Sequence, residues 1–328
     1  MASEHPIRFA RPEAHHAAVR TDVGLTPEQQ ARILAARPDV EVVFVRNEQE
    51  LAQALPDAEI VGGVVPRRLL PLARRLRWVH NFAAGADPLL YPELRDSDVI
   101  LTTSKGAHAI PISEHCLTFM LMFAHQIPTF TSWQASGRWE RPFIEELAGK
   151  TVGIVGLGNI GRELARKCKV GFGMRVVGTA RTPRPTEHVD RVYPRADLHA
   201  LLGESDFVCL ILPGTAETKG LIGEAELRAM KRSAYLVNVG RGQHVDTAAL
   251  VRALDEGWIA GAGLDAMDPE PLPADHPLRR IANVVITPHL AGLTQGTRDR
   301  GTTRFVENVG RYLAGEPLEG LVDRASGY

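Results

Sequence analysis

The chain has 328 residues, 44% of them hydrophobic and 23% charged, with a formal net charge of −1, enough for two domains of ordinary size. A near-neutral balance supplies no overall basic field, which argues against nucleic acid or an anionic membrane as the main partner. No apolar run approaches the ~20 residues needed to span a bilayer, and the N-terminus lacks an apolar leader, so a cytoplasmic protein is expected.

Cys116, Cys168 and Cys209 are odd in number, widely spaced and set in apolar surroundings. They read as reduced core thiols, not as a disulfide framework. Twelve histidines are present, yet no HExxH or His/Cys ligand spacing occurs. Glu114 and His115 are adjacent, so on a helix they point about 100° apart, and no metal is expected. Arg67, Arg68, Arg74, Arg75 and Arg77 cluster on and just after an expected surface helix, as a solvated face does.

From the N-terminus to about residue 103, apolar strand candidates at 7–10, 40–45, 60–65, 78–82 and 99–103 alternate with helices. Two helix starts carry capping-box patterns, Thr26 with Gln29 and Asn47 with Glu50. This alternation predicts a mostly parallel sheet covered by helices. A long helix over about 112–124 carries Ile112, Leu117, Met120, Leu121 and Phe123, a stripe wide enough to be buried against a domain or a second subunit. Residues 126–147 read as an irregular connection.

From Thr151 the alternation resumes, with strands near 151–155, 174–179, 206–211, 234–239, 262–266 and 283–287. Asp246 is a plausible N-cap for a helix over 247–256 that Gly257 ends. Six strands joined by right-handed crossovers make a doubly wound sheet. A last helix, about 295–314, has no partner strand and is expected to return to the first domain. The organisation expected is therefore a discontinuous domain, 1–103 with 291–328, interrupted by a second over 104–290.

The first turn of that second domain is the most informative stretch. Val152, Ile154 and Val155 form a buried strand that stops at Gly156-Leu157-Gly158-Asn159-Ile160-Gly161, followed by an amphipathic helix. Strand, glycines and helix in that order are the context a dinucleotide fingerprint requires. Gly156 permits the tight turn, Gly158 lets a pyrophosphate approach the helix N-terminus, and Gly161 lets helix and strand pack closely. The acidic residue that grips adenosine ribose hydroxyls is missing about 20 positions on; Ala180 stands there, followed by Arg181. A guanidinium in place of a carboxylate favours a 2′-phosphate. NADP is therefore expected, with NAD at lower affinity, Arg181 as main clamp, Thr182 as a hydroxyl donor and Arg184 in reserve.

In an open parallel sheet, ligands lie outside the carboxyl ends of the strands. Arg241 follows the strand at 234–239, Glu270 the one at 262–266, and His289 the one at 283–287. An arginine, a carboxylate and a histidine thus share one rim.

With these residues in view the chain resembles the D-isomer-specific 2-hydroxyacid dehydrogenase family along nearly its whole length. The marks are Asn81-Phe-Ala-Ala-Gly85-Ala-Asp87, Ile112-Ser-Glu114-His115, the stretch 147–161, Leu212-Pro213-Gly-Thr215-Ala-Glu-Thr218, Val237-Asn-Val-Gly-Arg241-Gly, Gly263-Leu-Asp265, Pro269-Glu270-Pro-Leu-Pro273 and Thr287-Pro-His289-Leu-Ala-Gly292. The resemblance implies a Rossmann dinucleotide-binding domain inserted into a flavodoxin-like substrate domain, and a homodimer built through the former and its long helix. The reaction it implies is reduction of a small 2-oxo acid, such as glyoxylate or hydroxypyruvate, to the D-2-hydroxy acid.

By matching motif, Arg241 binds the substrate carboxylate and polarises the oxo group, His289 is general acid and base, and Glu270 pairs with His289. A carboxylate beside an imidazole favours the imidazolium that can donate. Backbone N–H groups at Ala84 and Gly85 complete the carboxylate site. Asn159, Ile160, Pro213, Thr218, Val239, Asp265, His289 and Gly292 join the glycines along the cofactor. Asp265-Ala266-Met267 stands where many relatives carry Asp-Val-Phe, and His244 is left with a loop role. The same architecture serves corepressor-like cofactor sensors and, more distantly, formate or phosphite oxidation; Glu270 argues against a formate site.

Overall fold

A computed structural model describes residues 15–20, 26–36 and 40–325. The strand expected at 7–10 lies outside the described residues. Contacts divide the chain into two compact units, Met1–Ala107 with Thr294–Tyr328, and His108–Leu293.

The first unit runs β1 (His15–Arg20), α1 (Pro27–Ala36), β2 (Val40–Val45), α2 (Glu48–Ala54), β3 (Ile60–Gly62), β4 (Trp78–Asn81), α3 (Pro92–Arg95) and β5 (Ile100–Thr103). Its sheet is parallel in the order β2-β1-β3-β4-β5. The capping box at α1 is present, Thr26 N–H donating to Gln29 Oε1 at 2.8 Å and Gln29 N–H to Thr26 Oγ1 at 3.3 Å. At α2, Asn47 Oδ1 accepts from Glu50 N–H at 2.9 Å, while the Glu50 carboxylate reaches Arg46 N–H. The arginine cluster begins on a short 3-10 turn, Arg67–Leu72, with Arg67 paired to Glu93 and Arg68 to Glu48.

The second unit continues with α4 (Ala109–Ala124), α5 (Ile127–Ser136), β6 (Thr151–Val155), α6 (Asn159–Arg166), β7 (Arg175–Ala180), β8 (Arg191–Pro194), α7 (Leu198–Glu204), β9 (Phe207–Leu210), α8 (Glu224–Ala229), β10 (Tyr235–Asn238), α9 (Thr247–Asp255), β11 (Gly261–Leu264) and β12 (Val284–Ile286). All strands are parallel, in the order β12-β11-β10-β9-β6-β7-β8. The chain moves from β6 to β7 and β8 on one side, then resumes with β9 on the other. The switch point therefore lies at the carboxyl ends of β6 and β9. This architecture is a doubly wound Rossmann-type sheet.

Two departures from the sequence expectation concern the second unit. Residues 126–147 are not wholly irregular, because α5 occupies Ile127–Ser136 and ends at Gly137 with φ 70°. The sheet has seven strands, not six: β8 is a short edge strand in which only Tyr193 is buried. One buried residue in four offered no periodicity to recognise. In α4 the buried face includes Cys116, Leu117, Phe119, Met120 and Phe123, and Phe123 stacks on Tyr235 of β10 at 4.5 Å.

The last helix, α10 (Gln295–Ala314), starts with Thr294 as its N-cap and belongs to the first unit. Phe305 and Tyr312 stack on Trp78 of β4, each at 5.6 Å between centroids, and Tyr312 donates to Glu59 Oε1 at 2.6 Å. Cys116, Cys168 and Cys209 are buried free thiols. No helix among the described residues is long and apolar enough to cross a membrane, and no group of three His, Cys, Asp or Glu side chains there could hold a metal ion.

Candidate active site

The glycine turn stands at the switch point. Gly156 has φ 111°, and a Cβ there would come within 2.5 Å of the Ile211 carbonyl oxygen, so only glycine fits between β6 and β9. A Cβ on Gly161 would strike the Gly156 carbonyl oxygen at 2.1 Å, which lets α6 start hard against the strand. Gly158, the N-cap of α6, is exposed with open space where its Cβ would be, and Asn159 beside it is exposed as well. Ile160 is half-buried. An exposed helix start with no side chain over it fits a pyrophosphate, through unpaired N–H groups and the positive end of the helix dipole.

Two loops flank this turn. After β7, Arg181 and Thr182 are exposed, and Arg181 Nη2 lies 3.7 Å from Glu217 Oε2. Arg195, beyond β8, reaches the same oxygen at 3.3 Å and also donates to the Glu217 backbone carbonyl. Two guanidinium groups thus converge on one carboxylate. After β9, Thr218 is buried and holds its loop closed, its hydroxyl donating to the Pro213 carbonyl at 2.8 Å and accepting from Thr215 N–H at 2.9 Å.

On the other half of the sheet the rim residues follow neighbouring strands. Buried Asn238 ends β10. Its side chain donates to the carbonyls of Arg241 at 3.0 Å and Ala266 at 3.1 Å, and accepts from Gly240 N–H. A Cβ on Gly242 would sit 2.0 Å from the Met267 carbonyl, so the Arg241 turn lies directly on the backbone that leads to Glu270. Val239, at the foot of this turn, is buried. Glu270 Oε1 is 2.7 Å from His289 Nδ1, and both side chains are partly exposed. Because a carboxylate accepts, Nδ1 carries a proton in this pair, leaving Nε2 as the second ring nitrogen.

His289 has φ 52°, a left-handed conformation that few side chains adopt. Asp265, 1% exposed at the end of β11, explains how it is held. One carboxylate oxygen accepts from the Thr287 hydroxyl at 2.6 Å and Leu290 N–H at 2.9 Å, and the other accepts from Ala291 N–H at 3.0 Å. These three hydrogen bonds tie the Asp265 carboxylate to the segment around His289, and His115 Nε2 lies 3.7 Å from the same carboxylate. His115 of α4 adds a bond to the Thr287 hydroxyl at 2.9 Å; burial lowers the pKa of this imidazole. Gly292 lies near His108, whose ring would be 2.9 Å from an added Cβ. In the first unit, the loop after β4 folds on itself, Asn81 Nδ2 donating to the Gly85 carbonyl at 2.9 Å and Asn81 Oδ1 accepting from Ala83 N–H; Ala84 and Gly85 are half-buried.

His289 and Glu270 are thus in contact, and the Arg241 turn abuts the segment between β11 and Glu270. Arg195, Glu217, Asn238 and His115 were not singled out as site residues in the sequence. Asn238, Glu217 and His115 had a signal, lying inside the motifs around Arg241, at 212–218 and at 112–115. Arg195 had none, since only the fold brings it to Glu217 beside Arg181.

A doubly wound sheet with an open glycine turn at its switch point and an acid–imidazole pair on the rim defines a dinucleotide-dependent oxidoreductase. Residues 117–291 match the family model for the NAD binding domain of D-isomer specific 2-hydroxyacid dehydrogenases. The chain is 38% identical to a glyoxylate reductase of Thermococcus gammatolerans over 77% of this chain and 78% of the relative. It is 32% identical to glyoxylate/hydroxypyruvate reductase B of Yersinia pestis over 94% and 92%. Among solved structures, a D-isomer specific 2-hydroxyacid dehydrogenase from Xanthobacter autotrophicus, in complex with NADPH and MES, superposes with a TM-score of 0.85 at 31% identity, covering 96% of this chain and all of the other. An NADPH-dependent glyoxylate/hydroxypyruvate reductase from Sinorhizobium meliloti, in complex with NADP and sulfate, gives 0.83 at 29% identity, with coverage of 96% and 100%. The chain belongs to the D-isomer-specific 2-hydroxyacid dehydrogenase family and is an oxidoreductase with a nicotinamide dinucleotide-binding domain.

Proposed function

We propose that this protein reduces a small 2-oxo acid of the glyoxylate or hydroxypyruvate type to the D-2-hydroxy acid, with NADPH preferred over NADH. The Glu270–His289 pair at 2.7 Å carries the reading. The reduced nicotinamide supplies a hydride to C2 of the oxo acid. Negative charge then builds on the carbonyl oxygen, and His289 Nε2 delivers the proton that quenches it, while Glu270 holds Nδ1–H and keeps the ring oriented. Arg241 takes the substrate carboxylate in a two-pronged hydrogen bond and draws electron density from the oxo group. Backbone N–H groups of Ala84 and Gly85 are proposed as further donors to that carboxylate. Gly156, Gly158, Asn159 and Ile160 receive the pyrophosphate, and Arg181 the 2′-phosphate. NADP- and NADPH-bound relatives of the same fold support the cofactor preference.

The test is a panel of 2-oxo acids assayed with each reduced nicotinamide. Glyoxylate or hydroxypyruvate turnover is expected, faster with NADPH. His289→Ala should lower turnover by about 100-fold or more with dinucleotide affinity little changed, and Arg241→Ala should in addition raise KM for the oxo acid. Undiminished turnover in His289→Ala would remove the proposed proton donor.

A further inference from the structure

We propose that His244 is a positioning residue that ties the Arg241 turn to the Pro213–Thr218 loop, so that the substrate-side guanidinium and the dinucleotide-side loop keep one geometry. This deepens the reading of Arg241 and of the 213–218 loop given above and rests on it.

The His244 ring is completely buried. Its Nδ1 lies 3.2 Å from the backbone nitrogen of Arg241 and its Nε2 lies 3.1 Å from the Pro213 carbonyl oxygen. A backbone N–H only donates and a carbonyl only accepts. Nδ1 must therefore present a lone pair and Nε2 must carry the proton, which makes the ring a neutral imidazole in a single tautomer. Protonating Nδ1 would set two donors against each other.

The ring lies close to Gly240, where a Cβ would be 2.8 Å from His244 Cε1 and 2.9 Å from Nδ1. Arg241 is consequently gripped through both of its backbone polar groups, its N–H by His244 and its carbonyl by Asn238 Nδ2 at 3.0 Å. At the other end, the Pro213 carbonyl that receives His244 Nε2–H also receives the Thr218 hydroxyl. Backbone bonds from Gly220 N–H to the Gln243 carbonyl and from Ile222 N–H to the His244 carbonyl run alongside. A leucine could fill the same space, but it would supply neither the acceptor for Arg241 nor the donor for Pro213.

The two halves of this link can be separated with conservative variants of the full chain. In His244→Asn the amide oxygen stands where Nδ1 stood, keeping the Arg241 contact; in His244→Gln the amide nitrogen reaches toward Pro213, keeping the other. His244→Ala should raise KM for both the oxo acid and NADPH by about tenfold or more. The Asn variant should recover the oxo-acid KM alone, and the Gln variant the NADPH KM alone. A ring that only fills space would give equal KM changes in both, with a lowered Tm, and that result overturns the proposal. Should the Ala variant not fold, the Asn and Gln pair still decides. Nitrogen NMR of ring-labelled protein is an independent readout: His244 should be the neutral Nε2–H tautomer at about pH 7, and an imidazolium or Nδ1–H form would refute the link. Wild-type protein inactive on every 2-oxo acid would instead overturn the proposed reaction, with the NMR result and the NADPH affinity of the variants still reporting on His244.

Discussion

Arg181, proposed as the 2′-phosphate clamp, already has an anion near it. Glu217 stands 3.7 Å from its guanidinium and is shared with Arg195. An exposed pair of this kind is worth about 0–1 kcal/mol, whereas a two-pronged arginine–phosphate contact is stronger, so the phosphate should displace the carboxylate. Arg181→Ala is then expected to raise KM for NADPH by about tenfold while leaving NADH nearly untouched. Glu217→Gln should shift the ratio of kcat/KM values toward NADPH. Equal losses with both dinucleotides in Arg181→Ala would remove the clamp. The glycine turn, Arg241, Glu270 and His289 were legible in the sequence because each follows a strand end. Asp265 and His244 were named, but their bonds were not legible. The hydrogen-bond donors to the Asp265 carboxylate lie 22 to 26 positions away, and the Pro213 end of the His244 link lies 31 positions away.

At the scale of elements, local chemistry was the better guide wherever a helix start or a wide apolar stripe existed. Thr26, Asn47 and Asp246 all cap the helices they were expected to cap, and α10 runs over Gln295–Ala314 as anticipated. Strand β1 was not anticipated because its sequence, HHAAVR, opens on two histidines and offers few apolar residues; the sheet buries Ala17, Ala18 and Val19 between β2 and β3. The helix α5 was missed because its sequence buries no residue, leaving no inner face to betray it. Assignment of α10 to the first unit rests on Phe305, fully buried against Trp78. Phe305→Ala should therefore destabilise that unit by about 3–5 kcal/mol, read as a lower denaturant midpoint. A loss below about 1 kcal/mol would mean that α10 is not held there through this contact.

For the molecule as a whole, acid stability has an identifiable contributor. His80 is fully buried in the first unit between the hydroxyls of Thr102 and Ser104, and burial, with Arg304 nearby, pushes its pKa down to about 3. The folded protein keeps this ring neutral while the unfolded chain protonates it below its ordinary value of 6.5. More protons are then bound by the unfolded state, so the stability contributed falls as pH drops from 6.5 toward about 3 and levels off below. Unfolding free energies measured across that window should decline more steeply for the wild type than for His80→Gln. Parallel profiles would show that His80 does not drive the acid limb.

Sequence by itself determined two alternating α/β segments, the glycine turn, and three polar residues at neighbouring strand ends, because strand periodicity, helix caps and fingerprint glycines are encoded within a few residues of one another. Tertiary structure alone decided which strand fills the centre of the first sheet, where the last helix docks, and which hydrogen bonds hold Arg241 and His289. Those outcomes depend on groups far apart in the chain, and a buried donor or acceptor has its partner chosen only once the whole sheet has closed around it.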